Sequence, residues 1–123
     1  MNANLQCVVL DGDDDAELAR FYHALLGGEV NRPDRRWSLG DGWSTLHLPG
    51  GFVLCFQRVT DYRPPRWPDP RYPQQSHFDL GVPDLAAAGR EALAAGAVLL
   101  DDSESSWHVY ADPAGHPFCL VRE

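Results

Sequence analysis

The sequence predicts an α+β chain built from two tandem β-α-β-β-β modules. Three observations carry this. Two short apolar strands each run into an acid-capped helix that stops at glycine, at "DDDAELARFYHALLGG" and "PDLAAAGREALAAGA". Each helix is followed by strand-like pieces, beginning "GGEV" and "AGAV". Each half ends in a strand with a cysteine between large apolar residues, Leu54-Cys55-Phe56 and Phe118-Cys119-Leu120. Capping, strand order and closing strand agree, which is the pattern of an internal repeat.

In the first module, residues 5–11 are β-prone and short. Asp14 can cap a helix near 14–26, with Glu17 three residues on. Leu18, Phe21, Tyr22 and Leu25 fall on one helical face, and Gly27-Gly28 ends it. Strand-like pieces lie near 29–32, 36–39 and 43–48, and "GFVLCFQRV" at 51–59 closes a module spanning about 1–59. Residues 60–75, "TDYRPPRWPDPRYPQQ", hold five prolines. They exclude a helix or central strand and predict an extended crossing segment of polyproline character.

The second module, about 76–123, opens with the strand "SHFDLGV" and a helix near 84–95 capped by Asp84 and ended by Gly96. "AVLLDD" and "WHVYAD" are strands. Asp112-Pro113-Ala114-Gly115 fits a type I turn, and Pro117 launches the last strand. Laying the halves together on Asp13 and Asp84 makes Gln6 the counterpart of His77.

Composition bounds the function. The 123 residues suit a single domain over 1–123 with a sizeable core, and no stretch reaches the ~20 apolar residues of a membrane span. The start lacks a signal-type core, so a cytoplasmic location is the expectation. The net charge of −8 argues against nucleic acid as a partner. All ten basic residues are arginine, which leaves no lysine for Schiff-base chemistry. Cys7, Cys55 and Cys119, an odd and widely spaced set, form no disulfide framework.

Strand alternation sorts the candidate site residues. In "HFDLGV" the apolar Phe78, Leu80 and Val82 share one face, to be covered by the helix, and His77 and Asp79 take the other. Cys119 lies opposite Phe118 and Leu120. In the first strand Gln6, Val8 and Leu10 form one face and Cys7 and Val9 the other, so Cys7 is expected under the first helix. Gln57 and Tyr110 are expected to offer pocket hydrogen bonds. Trp67, with Tyr62, Tyr72, Arg63, Arg66 and Arg71, either roofs a pocket or staples the proline-rich segment to its own sheet. His23, His47 and His116 are read as surface or packing residues.

The run "FYHALLGGEV" after Asp13, with "HFDLGVPDL" and "DPAGHPFCLV", resembles the vicinal oxygen chelate superfamily. It is most similar to the glyoxalase/bleomycin-resistance members and the small bacterial glyoxalase-like domain proteins. The resemblance implies curved mixed sheets enclosing a pocket, and metal ligands on the first and last strand of each half. Those positions map to Gln6, Cys55, His77 and Cys119. Thiols at both closing positions replace the carboxylates of glyoxalase I-like chemistry, and His77 alone falls short of the two histidines and carboxylate of extradiol dioxygenases. The expectation is a small-molecule binder, with Gln6, Cys55, Gln57, His77, Asp79, Cys119, Trp67 and Tyr110 about the ligand. No cofactor is expected beyond a weakly held divalent metal, and the chain is expected to form a homodimer through exposed sheet edges. The alternative is a lyase or isomerase, metal-assisted or with His77 and Asp79 as acid and base.

Overall fold

The computed structural model describes all residues, 1–123. The chain divides into two compact units, Met1–Tyr62 and Arg63–Glu123. Each holds one helix on one four-stranded mixed sheet, the α+β tandem that the sequence predicts. No helix is long and apolar enough to cross a membrane.

In the first unit, β1 (Val8–Gly12) leads into α1 (Asp15–Leu26). Then come β2 (Glu29–Val30), β3 (Trp43–His47) and β4 (Val53–Arg58), in the spatial order β1-β4-β3-β2. β1 and β4 are parallel and the other pairs antiparallel. The N-cap of α1 is Asp14, whose carboxylate accepts the Glu17 amide at 3.0 Å. Leu18, Ala19, Phe21 and Tyr22 bury against the sheet, and Tyr22 stacks on Phe56 with centroids 5.7 Å apart. The helix is also tied by Ser44, whose hydroxyl donates to the buried Asp15 carboxylate at 2.6 Å. Gly28, at φ 86°, passes so close to β3 that a Cβ would sit 2.6 Å from the His47 carbonyl oxygen.

The strand expected at 36–39 is absent. The Asp34 carboxylate accepts the Arg36 amide at 2.9 Å and its carbonyl accepts those of Trp37 and Ser38, winding the segment into turns. Trp37 is buried there, edge-on to His47.

In the second unit, the proline-rich segment is not simply extended. Arg66 donates its amide to Tyr72, Asp69 to Arg66 and Tyr72 to Asp69, closing residues 66–72 into a compact loop. Arg66 lies over the Tyr72 ring at 4.4 Å, and Arg71 bonds Asp69. β5 (Phe78–Val82), α2 (Leu85–Ala95), β6 (Val98–Asp101), β7 (Trp107–Ala111) and β8 (Pro117–Arg122) follow. Their spatial order, β5-β8-β7-β6, with β5 and β8 parallel, repeats the first unit's topology. Asp84 caps α2 through the Ala87 amide at 3.0 Å, and Gly96 ends it in the left-handed region. The predicted turn at Asp112 forms: its backbone carbonyl accepts from Gly115, and its buried carboxylate accepts from Ala114 and His116.

Candidate functional site: a His-Asp-Cys cluster on the second sheet

Register decides which side chains share a face, because residues paired across a ladder point the same way. In the second sheet Phe78 pairs with Phe118 and Leu80 with Leu120, and these pack beneath α2. Asp79 pairs with Cys119 on the opposite face, where His77 also lies, two residues before Asp79. The ligating atoms of His77, Asp79 and Cys119 all lie within 4.8 Å of one another. His77 Nε2 stands 3.4 Å from Asp79 Oδ1, with the two side chains 45% and 62% exposed. The Cys119 thiol is half-buried, and burial first, then the Asp79 charge and a hydrogen bond to Asp79, push its pKa up. These effects favour the neutral thiol.

Glu123 belongs to the same face, one repeat beyond Val121. Its carboxylate lies over Gly81, where a Cβ would meet Oε2 at 2.5 Å. Sequence reading missed this acid, although Cys119, Val121 and Glu123 alternate on the closing strand.

The first sheet corrects the expected phase of β1. Val9 pairs with Cys55, while Val8 and Leu10 pair with Leu54 and Phe56 on the α1 side. Cys7, two residues before Val9, therefore shares the face of Cys55 and does not pack under the helix. Gln6 lies exposed, ahead of the strand and in the opposite phase. The reason is the cap. Cys7 stands seven residues before Asp14, as His77 stands seven before Asp84. Alignment on Asp13 shifted the strand by one residue. The Cys55 thiol is fully buried, and burial together with hydrogen bonding to Cys7 pushes its pKa up to about 12. Gln57 is exposed on the same face, paired with Trp43.

Tyr110 is a second correction. It pairs with Phe118, stacks on that ring at 5.8 Å and sends its hydroxyl against Gly89 of α2. That is the helix-side core, and Val109 takes the place beside Cys119. Trp67 is half-buried and lines a cavity of about 210 Å³ with Pro68, Tyr72 and Gln74, within the proline-rich loop itself.

The cluster His77, Asp79 and Cys119 offers one nitrogen, one oxygen and one sulfur donor. That set suits a four-coordinate borderline cation with one position left open. Filling it requires Cys119 to release the proton that burial and Asp79 hold on it. Two anionic ligands would then neutralise a divalent charge.

The glyoxalase-like domain family model matches residues 7–121. The chain belongs to the glyoxalase-like domain family. No curated protein sequence matches it. Solved structures with the same fold include a glyoxalase/bleomycin resistance protein/dioxygenase family enzyme from Burkholderia phytofirmans. It is 16% identical with a TM-score of 0.71, covering 98% of each chain. A glyoxalase-related enzyme from Fulvimarina pelagi is 19% identical with a TM-score of 0.68, covering 98% of this chain and 88% of that one. The fosfomycin resistance protein FosX from Mesorhizobium loti is 10% identical with a TM-score of 0.70, covering 98% of this chain and 92% of that one. At these identities the likeness is one of fold, and with the family match it places the glyoxalase-like chain in the vicinal oxygen chelate superfamily.

Proposed function

We propose that this glyoxalase-like protein binds a small molecule, with His77, Asp79 and Cys119 holding its polar end, and sequesters a metabolite or natural product. The observation that carries this reading is a thiol at each of the two closing-strand positions, Cys55 fully buried and Cys119 half-buried. Burial holds Cys55 near a pKa of about 12 and raises Cys119 as well. A neutral thiol is neither the carboxylate base that proton transfer beside a carbonyl requires nor a ready metal ligand. Beside Cys119, an exposed carboxylate and imidazole offer hydrogen-bond partners for a polar or cationic group. Trp67 is proposed to extend the contact surface. Three free thiols suit a reducing, cytoplasmic setting.

The donor geometry supports a second reading, a metal-assisted lyase or isomerase, because three different donors lie within 4.8 Å. Native mass spectrometry of protein purified without chelator separates the two. A retained organic mass that is lost in His77→Ala and Asp79→Asn supports sequestration. One metal ion per chain, lost in the same variants and accompanied by turnover of an added carbonyl or epoxide substrate, replaces it with the second reading.

A homodimer is proposed from β6, an edge strand that exposes Val98, Leu99 and Leu100, with Trp107 of neighbouring β7 also exposed. Light scattering should give twice the 13.7 kDa chain mass. Introducing Lys at Val98 should return the monomer.

A further inference from the structure

The β2–β3 edge of the first sheet carries a cavity that the proposed function does not use. Its volume is about 220 Å³, and its wall includes Asn31, Arg32, Trp37, Leu39, Trp43 and Thr45. Neither β1 nor β4 contributes to that wall. Trp43 and Thr45 pair with Gln57 and Cys55, on the face turned away from α1. We infer that this cavity is a second ligand site, selective for a small planar carboxylate of the aromatic-acid class.

The polar groups left over on the wall select an anion. Trp43 Nε1 is buried and no protein atom accepts its hydrogen, a condition that folded chains rarely keep without a partner. Asn31 stands at φ 53°, where its amide donates to the Thr45 carbonyl and its Oδ1 accepts the Thr45 amide, both at 2.9 Å. Its side-chain oxygen is thereby used, and its NH2 group remains to donate. Arg32 gives Nε to Glu29 at 3.0 Å and keeps its two terminal nitrogens. No carboxylate lines the cavity. In a chain of net charge −8, this segment is locally basic, with Arg32, Arg35 and Arg36 against Glu29 and Asp34. An indole N–H, an amide and a guanidinium together match the oxygens of a carboxylate.

Size and the indole walls set the rest of the ligand. A cavity of about 150 Å³ holds benzene, whereas pockets for drug-sized ligands begin at about 300 Å³. At about 220 Å³ this one suits a single ring bearing one carboxylate. Trp37 and Trp43 offer that ring apolar contact. Trp37 is already fixed, by its amide bond to the Asp34 carbonyl, its edge contact with His47 and the Arg36 guanidinium 5.1 Å over its ring. That side of the site is therefore preorganised. Because Trp43 Nε1 is buried, binding includes a small shift of the side chains around it, and Leu39, exposed on the turn, is free to make one.

Benzoate is the probe, titrated into the isotope-labelled full chain, and the indole region of the nitrogen–proton correlation spectrum is the readout. The four tryptophans give four indole resonances there, and Trp43→Phe identifies that of Trp43 by its loss. Benzoate should move the Trp43 resonance downfield and saturably, as a hydrogen bond to an anion does. Trp107, on the second sheet, should not respond. Benzylamine, the same ring with the opposite charge, should leave Trp43 in place. Arg32→Gln, at an exposed position, should weaken benzoate binding by about 10-fold. Asn31→Asp keeps an acceptor for the Thr45 amide and replaces the donor with a like charge, so binding should be lost. A denaturation curve matching wild type establishes that this variant folds, and Arg32→Gln decides alone where it does not. His77→Ala should bind benzoate as wild type does, so this site and the His77 cluster fail separately. A Trp43 resonance that stays still at millimolar benzoate, one that benzylamine moves equally, undiminished binding in Arg32→Gln, or loss of binding in His77→Ala overturns the proposal.

Discussion

The two sheets share topology and register yet carry opposite chemistry. Cys7, Val9 and Asp14 correspond to His77, Asp79 and Asp84, each seventy residues on, and Cys55 corresponds to Cys119. The first sheet sets a buried thiol beside another thiol and a valine. The second sets a half-buried thiol beside an exposed imidazole and carboxylate. The backbone presents the same three positions twice, and the side chains alone decide between a sulfur pair and a mixed ionisable cluster. The helices differ as well. α1 buries Leu18, Phe21 and Tyr22, whereas α2 buries Leu85, Gly89 and Ala92. The first core is filled from the helix, and the second from the sheet, by Tyr110 and Phe118.

The largest test of that contrast is Tyr22→Ala. The ring is fully buried and stacked on Phe56, so its removal should destabilise the first unit by about 3–5 kcal/mol. Leu85→Ala in the second unit should lose about 2–3 kcal/mol. Urea denaturation followed by tryptophan fluorescence measures both. Equal losses would show that α2 contributes as much side-chain packing as α1.

Next in size is Gly89→Ala. In an exposed helix interior this change gains about 1 kcal/mol. Here an added Cβ would run against the Tyr110 hydroxyl, and the sign should reverse, to a loss of about 1–3 kcal/mol. Gly89→Ala with Tyr110→Phe should recover most of it, since the phenylalanine ring keeps its stack on Phe118. A stabilised single variant would place Tyr110 elsewhere.

What the sequence made legible follows from where its alternation was unambiguous. "HFDLGV" alternates apolar and polar residues, so the face holding His77 and Asp79 could be read directly. "QCVVLD" is apolar at consecutive positions, so periodicity carried no phase there, and the choice of Asp13 over Asp14 as anchor moved every side chain to the other face. Tyr110 was misplaced for a related reason: "WHVY" is bulky on both faces, and only its pairing with Phe118 settles the orientation. The turn at 34–38 had its signal in Pro33-Asp34, outweighed by the aromatic and apolar residues that follow. Glu123 was passed over because its position on the Cys119 face follows only once β8 is known to continue through Arg122. Long-range pairing is the information the local pattern lacks.

A smaller effect sharpens the comparison of the thiols. Asp79 raises the Cys119 pKa by its charge and hydrogen bond, and Val9, its counterpart beside Cys55, can do neither. Asp79→Asn should lower that pKa, increase the thiolate fraction at pH 8 and speed alkylation of Cys119 by iodoacetamide severalfold. Cys55, buried in both proteins, should stay slow. An unchanged Cys119 rate would mean that burial alone sets its reactivity.

The smallest expected effect separates the two sheets by their histidines. His47 is 5% exposed, edge-on to Trp37, with Nε2 at 3.0 Å from the Thr45 hydroxyl. Its pKa is lowered, first by burial and then by the Arg32 charge, with Arg36 adding slightly and Glu29 and Asp34 opposing. The unfolded chain therefore takes up a proton at a higher pH than the folded one does. Where the unfolded state binds more protons, stability rises with pH. The contribution is complete above about pH 6.5. It is lost as pH falls from there through the depressed folded value. His47→Gln keeps a hydrogen-bonding group beside Thr45 and cannot titrate. The wild-type minus variant difference in unfolding free energy should decline between pH 7.5 and 5, as about one proton's worth of linkage at most. The many carboxylates titrate alike in both proteins and cancel in that difference. Amide exchange at Thr45 and Leu46 localises the change to β3. A difference that stays flat across this range would mean that His47 is solvated in the folded state and the Trp37 turn does not close over it.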